Sequence, residues 1–125
     1  MKLNREIISD LLLIASYDDT SFTINGQRHE SSLILTPEAV QDWPLRGFTA
    51  LTAESLEAVC ALKPALLLIG TGARQQFPAP AVLRPLIEAG IGFEIMNTGA
   101  ACRTYNLLAG EGRKVAAALL LEASV

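Results

Sequence analysis

Two short apolar runs in this 125-residue chain lead into similar turns. Leu66–Ile69 runs into Gly-Thr-Gly at Gly70–Gly72, and Phe93–Met96 runs into Asn-Thr-Gly at Asn97–Gly99. Apolar runs of this kind are typical of strands buried on both faces, as in parallel sheets covered by helices. A segment with helical spacing follows each turn. The pattern therefore predicts an α/β fold in which these two strands are parallel neighbours or near neighbours.

Shorter patterns predict the remaining elements. Phe22–Ile24 ends at Asn25-Gly26, which favours a β-hairpin whose second strand runs from about 28 to 35. Pro44 lies in the apolar stretch 43–48, so that stretch predicts a short strand at a sheet edge or bulge. Three helices are expected, over about 54–62 and 80–89 and from Thr98, which we expect to cap the third.

The run Val115–Leu121 is ambiguous from its residues alone. Alanine and leucine are the strongest helix formers, which favours a helix. Arg113 and Lys114 would lie at the unfavourable end of that helix dipole, and the segment is short. The residues alone favour a helix and a strand about equally.

Composition limits the classes of function. Half of the residues are hydrophobic and 18% are charged, so residues 1–125 are expected to form one domain, with 1–20 as a loosely packed N-terminal segment. The net charge is −3 and there is no basic run, so nucleic-acid binding is not expected. The apolar stretch near the N-terminus is too short to span a membrane and is interrupted by Asp10, which favours a soluble cytoplasmic protein without a targeting peptide.

The two turns offer a candidate ligand site, because ligands of α/β sheets collect beyond the carboxyl ends of the strands. Backbone N–H groups of a glycine turn, or of a helix start, can bind a small anion, and an arginine follows each turn. A tight turn and a capped helix with a surface arginine explain the same residues. The candidate ligand-binding residues are Gly70, Thr71, Gly72, Arg74, Asn97, Thr98 and Arg103.

Catalytic chemistry finds little support in the sequence. The single histidine, His29, falls in the predicted hairpin, away from both turns. Cys60 and Cys102 are isolated within apolar segments, and no metal-ligand spacing or cofactor motif is present. Glu94 lies in a strand predicted to be buried, where a structural ion pair is the more ordinary role for a carboxylate. The balance favours a protein that is not an enzyme and has no cofactor.

One loop favours contact with another protein. Residues 73–79 contain Phe77, with Gln76 before it and Pro78 after it. An exposed aromatic side chain in such a loop is a natural anchor for a protein partner. Gln76 and Phe77 are therefore the candidate partner-binding residues.

The chain contains Pro64 followed by five notable segments, Leu66–Gly72, Gly90–Ile91, Glu94–Met96, Thr104–Leu108 and Glu111–Arg113. Together they resemble a small family of uncharacterised domains, which includes a mitochondrial respiratory complex I assembly factor and the adipogenesis-associated Mth-like domain-containing protein. The resemblance extends from about 22 to 121. It is densest over 64–113, and its most specific parts are Thr104–Leu108 and Glu111–Arg113. It implies a three-layer α/β/α fold with a mixed, partly parallel central sheet, and it moves residues 115–121 toward a strand. The family often has Asp where this chain has Asn97, and it brings no established catalytic residues.

These inferences favour a protein-binding or assembly-type module without enzymatic activity. Its partner is an unknown protein or a second copy of the chain, with no nucleic acid or membrane involved. The alternative is a small-ligand binding protein or an enzyme, with an anion pocket at the two turns.

Overall fold

The structure, a computed structural model, describes residues 11–122. In these residues the chain forms eight strands, three α-helices and two short 3-10 helices. The strands are β1 Ile14–Tyr17, β2 Phe22–Ile24, β3 Gln27–His29, β4 Leu33–Leu35, β5 Val40–Asp42, β6 Leu66–Gly70, β7 Gly92–Met96 and β8 Val115–Leu119. The α-helices are α1 Glu57–Leu62, α2 Pro80–Ala89 and α3 Thr98–Gly110, and the 3-10 helices are Phe48–Ala50 and Glu54–Leu56.

The central sheet has five strands in the order β5-β4-β8-β6-β7. Strand β6 is parallel to both β7 and β8, whereas β4 is antiparallel to β8 and to β5. Leu67 lies opposite Phe93 in the β6–β7 pair, which confirms the prediction of two parallel neighbouring strands. A separate antiparallel sheet contains β1, β2 and β3.

Two apolar clusters cover the two faces of the central sheet. Side chains alternate along each strand, so Leu33 and Leu35 belong to one cluster and Ile34 belongs to the other. The first cluster joins the sheet to α3 and the three-stranded sheet, and the second joins it to α1, α2 and the 3-10 helices. The predicted three-layer α/β/α fold with a mixed sheet is confirmed. The hairpin sheet shares a layer with α3.

Strand β8 occupies the middle of the central sheet. Each of its five residues is buried, and it forms ladders with β4 on one side and β6 on the other. The alanines at 116–118 favour a helix in isolation, but two ladder partners and burial on both faces override that preference. The strand implied by the family resemblance is confirmed.

The hairpin prediction is confirmed in its turn but wrong in the length of its second strand. Asn25 and Gly26 have φ of 50° and 78°, the left-handed conformations that a type I′ turn requires. The chain leaves the hairpin after His29, and Leu33–Leu35 pairs in the central sheet instead. Strand β3 is polar and exposed, whereas β4 is apolar and fully buried. The two strands therefore belong to different sheets.

Two other predictions about strands are wrong. The expected strand at 43–48 is absent, and the edge strand is Val40–Asp42, immediately before it. Trp43 is instead buried, and its indole N–H donates to the carbonyl oxygen of Ser55 at 2.9 Å. Glu94 is exposed rather than buried, because β7 lies at the other edge of the sheet.

The described part of the N-terminal region is hydrogen-bonded to the rest of the fold. The Leu12 N–H donates to the carbonyl oxygen of Pro37 at 3.0 Å, and the Tyr105 hydroxyl donates to that of Leu12 at 2.8 Å. The Asn106 side chain pairs with both backbone groups of Ile14, at 2.9 and 2.8 Å. The predicted loose segment 1–20 thus has these contacts in its described part, while residues 1–10 lie outside the described residues.

None of the α-helices within residues 11–122 combines the length and the apolar character needed to cross a bilayer.

Candidate functional site

The two turns meet at the carboxyl ends of β6 and β7. The Thr71 N–H donates to the Met96 carbonyl at 2.9 Å, and the Thr98 N–H donates to the Gly72 carbonyl at 2.8 Å. The parallel pairing of the two strands places both turns at the same end of the sheet, as expected for a ligand site of this fold class.

The buried hydroxyl of Thr98 joins three segments of the chain. It accepts a hydrogen bond from the Gly72 N–H at 2.8 Å and donates one to the Leu120 carbonyl at 2.7 Å. The expectation that Thr98 caps α3 is wrong, because its hydroxyl is used in these contacts. Asn97 caps the helix instead, accepting from the Ala100 N–H at 2.8 Å.

Close packing explains the two glycines of the first turn. A Cβ at Gly70 would lie 2.9 Å from the Cα of Thr98, so only glycine lets β6 approach the start of α3. Gly72 has φ of 105°, which side chains rarely adopt, and a Cβ there would overlap the carboxylate of Glu122.

Glu122 occupies the place where an external anion was expected. Its carboxylate accepts a hydrogen bond from the Ala73 N–H, next to the positive-φ residue Gly72. The N–H groups of Gly72 and Ala73 thus both have acceptors within the chain, the Thr98 hydroxyl and the Glu122 carboxylate. Glu122 lies 49 residues from Ala73 in sequence, so no local pattern marks it as part of the site.

A pocket of about 210 Å³ lies between the two turns. Of the predicted ligand-binding residues, Gly72, Asn97 and Thr98 line it, together with Gly99 and Tyr17. The lining does not include the other predicted ligand-binding residues, which are Gly70, Thr71, Arg74 and Arg103.

The two arginines lie outside this lining. Arg103 is exposed on α3, and its guanidinium donates a hydrogen bond to the hydroxyl of Tyr17, at the wall of the pocket. Arg74 is exposed, and its backbone carbonyl, rather than its side chain, takes part in the turn by accepting from the Thr71 hydroxyl at 2.7 Å. Of the two arginines predicted at the turns, only Arg103 is connected to the pocket, by its hydrogen bond to Tyr17.

The pocket is acidic. Asp18, Asp19 and Glu122 line it, and no Lys or Arg does. Hydrogen bonds from the Thr20 N–H and the Ser21 hydroxyl lower the pKa of Asp18, so this carboxylate stays ionised at neutral pH. The lining therefore favours a hydrogen-bond donor or a cation over an anion. Within residues 11–122, no group of three or more acidic, His or Cys side chains could hold a metal ion.

The loop 73–79 is held at its base by polar contacts. The Thr71 hydroxyl donates to the Arg74 carbonyl at 2.7 Å and accepts from the Gln76 N–H at 3.1 Å. The Gln75 side chain donates to the Ile95 carbonyl at 2.8 Å, which ties the loop to the edge strand β7. These contacts fix the backbone on the N-terminal side of Phe77.

Phe77 projects from this fixed loop with 70% of its surface exposed. Within residues 11–122 it is the most exposed large hydrophobic side chain, ahead of Leu107 at 62% and Ile87 at 61%. Gln76 is half-buried and contributes its backbone to the loop, and Pro78 is buried. The structure thus presents Phe77 outward and uses its neighbours to support the loop.

The cysteines and the histidine lie apart from this pocket. Cys102 is buried in α3, and burial raises the pKa of its thiol to about 12. The pKa of Cys60 is also raised, first by burial and then by the charge of Glu57. Both thiols are therefore protonated at neutral pH and are poor nucleophiles. His29 lies in β3 of the separate sheet.

Residues 14–120 match the model of a family described as "Protein of unknown function (DUF498/DUF598)". This chain belongs to that family. A relative from Bos taurus, NADH dehydrogenase (ubiquinone) 1 alpha subcomplex assembly factor 3, is 35% identical over 111 residues, covering 87% of this chain and 60% of the relative. The chain thus spans about 60% of the length of such relatives. The resemblance to a family containing a complex I assembly factor is confirmed.

Two further proteins match this chain over most of their length. The 13 kDa major membrane protein of Francisella tularensis is 28% identical over 122 residues, which cover 96% of this chain and 99% of that protein. A Mth938-like domain from Bordetella pertussis, solved by NMR, superimposes with a TM-score of 0.82 at 32% identity. That match covers 93% of this chain and 89% of the solved one.

Proposed function

We propose that this DUF498/DUF598 chain is a protein-binding module of the assembly type, without enzymatic activity, that works in the cytoplasm. The loop 73–79 is its contact surface and Phe77 is the anchor. The observation that carries the proposal is an aromatic side chain, 70% exposed, on a loop whose backbone is fixed by hydrogen bonds.

Binding at this loop is favoured by the exposed apolar area of Phe77 and by the low entropy cost of an ordered loop. A few aromatic anchors supply most of the binding free energy of many protein interfaces. A loop that is already ordered loses little conformational freedom when its partner binds. Phe77 satisfies both conditions, since its side chain is exposed while the hydrogen bonds of Thr71 and Gln75 restrain the backbone that precedes it.

The relatives support an assembly role for this chain. The Bos taurus protein is named an assembly factor, and its aligned region covers 87% of this chain. The protonated thiols of Cys60 and Cys102 and the position of His29 in the other sheet support the absence of nucleophilic catalysis. The partner is a protein of unknown identity or a second copy of the chain.

Affinity capture from the native host, followed by quantitative mass spectrometry, tests this proposal. We expect Phe77→Ala to reduce recovery of the specific partner by about tenfold or more, as loss of an aromatic anchor does. Leu107→Ala is the matched control, because Leu107 is similarly exposed but lies on α3.

The stability of both variants completes the test. Each should unfold within about 0.5 kcal/mol of the wild type, since exposed side chains contribute little to folding. Equal recovery of the same partners with Phe77→Ala and with the wild type contradicts the proposal. Unfolding of Phe77→Ala assigns Phe77 to the core and removes the loop as the contact surface.

A second candidate is ligand binding in the pocket between the turns, favoured by the convergence of Gly72, Asn97 and Thr98 on one cavity. NMR titration of the labelled protein with phosphate, and separately with methylammonium, tests it. The acidic lining predicts that methylammonium moves the amides of both turns and phosphate does not. If neither probe moves these amides at high millimolar concentration, the pocket is not a site for small ions.

A further inference from the structure

Within residues 11–122, strand β5 is an edge of the central sheet. Thr36 and Ala39 exchange backbone hydrogen bonds, and the Trp43 N–H donates to Ser32, so the bonded pairs with β4 alternate along the hairpin. By this alternation the N–H and C=O groups of Val40 and Asp42 point away from β4. They have no hydrogen-bond partner among residues 11–122.

A groove of about 370 Å³ runs beside this edge. We call it the β5 groove; its lining is Gln41–Leu45, Thr52, Glu54, Ser55 and Ala58. Its apolar lining residues are Trp43, Pro44, Leu45 and Ala58. The buried ring of Trp43 is fixed because its indole N–H donates to the Ser55 carbonyl. An unpaired strand edge beside an apolar groove is the arrangement by which sheets bind extended peptides.

The charges around the β5 groove select the kind of peptide. Asp42 and Glu54 line it, and no Lys or Arg does. The nearest arginine in sequence, Arg46, donates to the Glu30 carbonyl and does not line the groove. Asp42 lies opposite Leu33, so its side chain is on the face of the first apolar cluster, whereas Trp43 and the 3-10 helix that contains Glu54 lie on the other face. One basic residue on each face of an added strand would complement these two carboxylates.

We propose that the β5 groove binds an extended segment of a partner protein. The segment adds as a strand to β5 and places an apolar side chain in the groove beside Trp43. It carries Lys or Arg beside Asp42 on one face of the sheet and beside Glu54 on the other. Phe77 takes no part in this surface, so the site can exist or fail independently of the loop 73–79.

NMR titration of the full chain with three synthetic pentapeptides tests the proposal. Acetyl-Lys-Val-Leu-Lys-Val-amide, whose two lysines point to opposite faces of a strand, should shift the amides of Val40 and Asp42 and the indole N–H of Trp43. The same peptide with Glu in place of Lys should bind at least about tenfold more weakly, because two attractive contacts become repulsive. A version N-methylated at its three central residues cannot form the ladder and should produce none of these shifts.

Two variants locate the binding. Ala58→Arg fills the β5 groove and should abolish the response, whereas Glu57→Arg, an exposed neighbour on α1 outside the lining, should preserve it. Thermal melting shows whether each variant is folded, and the three peptides test the wild type regardless. Phe77→Ala should respond as the wild type does.

Three results overturn the proposal. The first is the absence of shifts at Val40, Asp42 and Trp43 with the basic peptide. The second is equal binding of the basic, acidic and N-methylated peptides, which indicates nonspecific contact. The third is concentration-dependent shifts of β5 amides without peptide, accompanied by a doubled molecular mass, which assigns the edge to a second copy of the chain.

Discussion

Thr98, through its hydroxyl, is the residue on which the geometry of the two turns most depends. It satisfies the buried N–H of Gly72 and the carbonyl of Leu120. We expect Thr98→Val to lower the free energy of unfolding by about 2–4 kcal/mol, because both groups lose their partner without access to water. Thr98→Ser keeps the hydroxyl and should lose less than about 1 kcal/mol. Urea denaturation measures both, and equal stability of the two variants contradicts the role of the hydroxyl.

Asp18 gives the pocket a defined dependence on pH. Hydrogen bonds from Thr20 and Ser21 hold the pKa of Asp18 below its ordinary value of 3.8. A lowered pKa in the folded state means that the contribution of Asp18 to stability is present above that ordinary value and is lost as the pH falls through the folded-state pKa.

Melting temperatures measured from neutral to acid pH check this sign. The wild type should lose more stability on acidification than Asp18→Asn, which cannot titrate. Asp19→Asn neutralises the next residue, which accepts none of these hydrogen bonds, and should resemble the wild type. A larger fall in melting temperature on acidification for Asp18→Asn than for the wild type contradicts this role of Asp18.

Strand β6 is the central element of the second apolar cluster. Leu67 is fully buried there. We expect Leu67→Ala to destabilise the fold by roughly 2–5 kcal/mol through lost burial and a residual cavity. Leu62→Ala, at the exposed end of α1, should cost less than about 1 kcal/mol. A loss below about 0.5 kcal/mol for Leu67→Ala, measured by urea denaturation, shows that β6 is not a core strand.

Elements with a strong local pattern could be predicted, and those set by tertiary context could not. The strands before each turn and the Asn25-Gly26 hairpin turn follow from hydrophobicity and turn chemistry. Strand β5 is three residues long and polar, so its local pattern is too weak to detect. The alanines of β8 favour a helix, and β8 forms a strand because it pairs with β4 on one side and β6 on the other.

The same distinction holds for the site. The convergence of the turns follows from the parallel order of β6 and β7, so the sequence could predict it. The acidity of the pocket could not be predicted, because Asp18 comes from the loop after β1 and Glu122 from the chain after β8. The helix cap could not be predicted for a similar reason. Asn97 caps α3 rather than Thr98, because the threonine hydroxyl is already bonded to Leu120 and Gly72.

The integrity of the whole fold can be followed through its cysteines. Cys102 is 1% exposed and the pKa of its thiol is about 12, whereas Cys60 is only partly buried. We expect iodoacetamide at mildly alkaline pH to modify Cys60 slowly and to leave Cys102 unmodified until the protein unfolds. Peptide mass spectrometry with and without urea measures this, and rapid labelling of native Cys102 contradicts the packing of α3.

The molecule as a whole presents a fixed aromatic loop next to an acidic pocket, because both begin at the turn Gly70–Gly72. The central claim is that the loop, through Phe77, is where another protein binds. A photoreactive phenylalanine derivative placed at position 77, and at 107 as the control, tests this claim in the native host. We predict a discrete cross-linked adduct from position 77, to a partner protein or to a second copy, and none from position 107. The same background from both positions, with no discrete adduct at 77, contradicts the account.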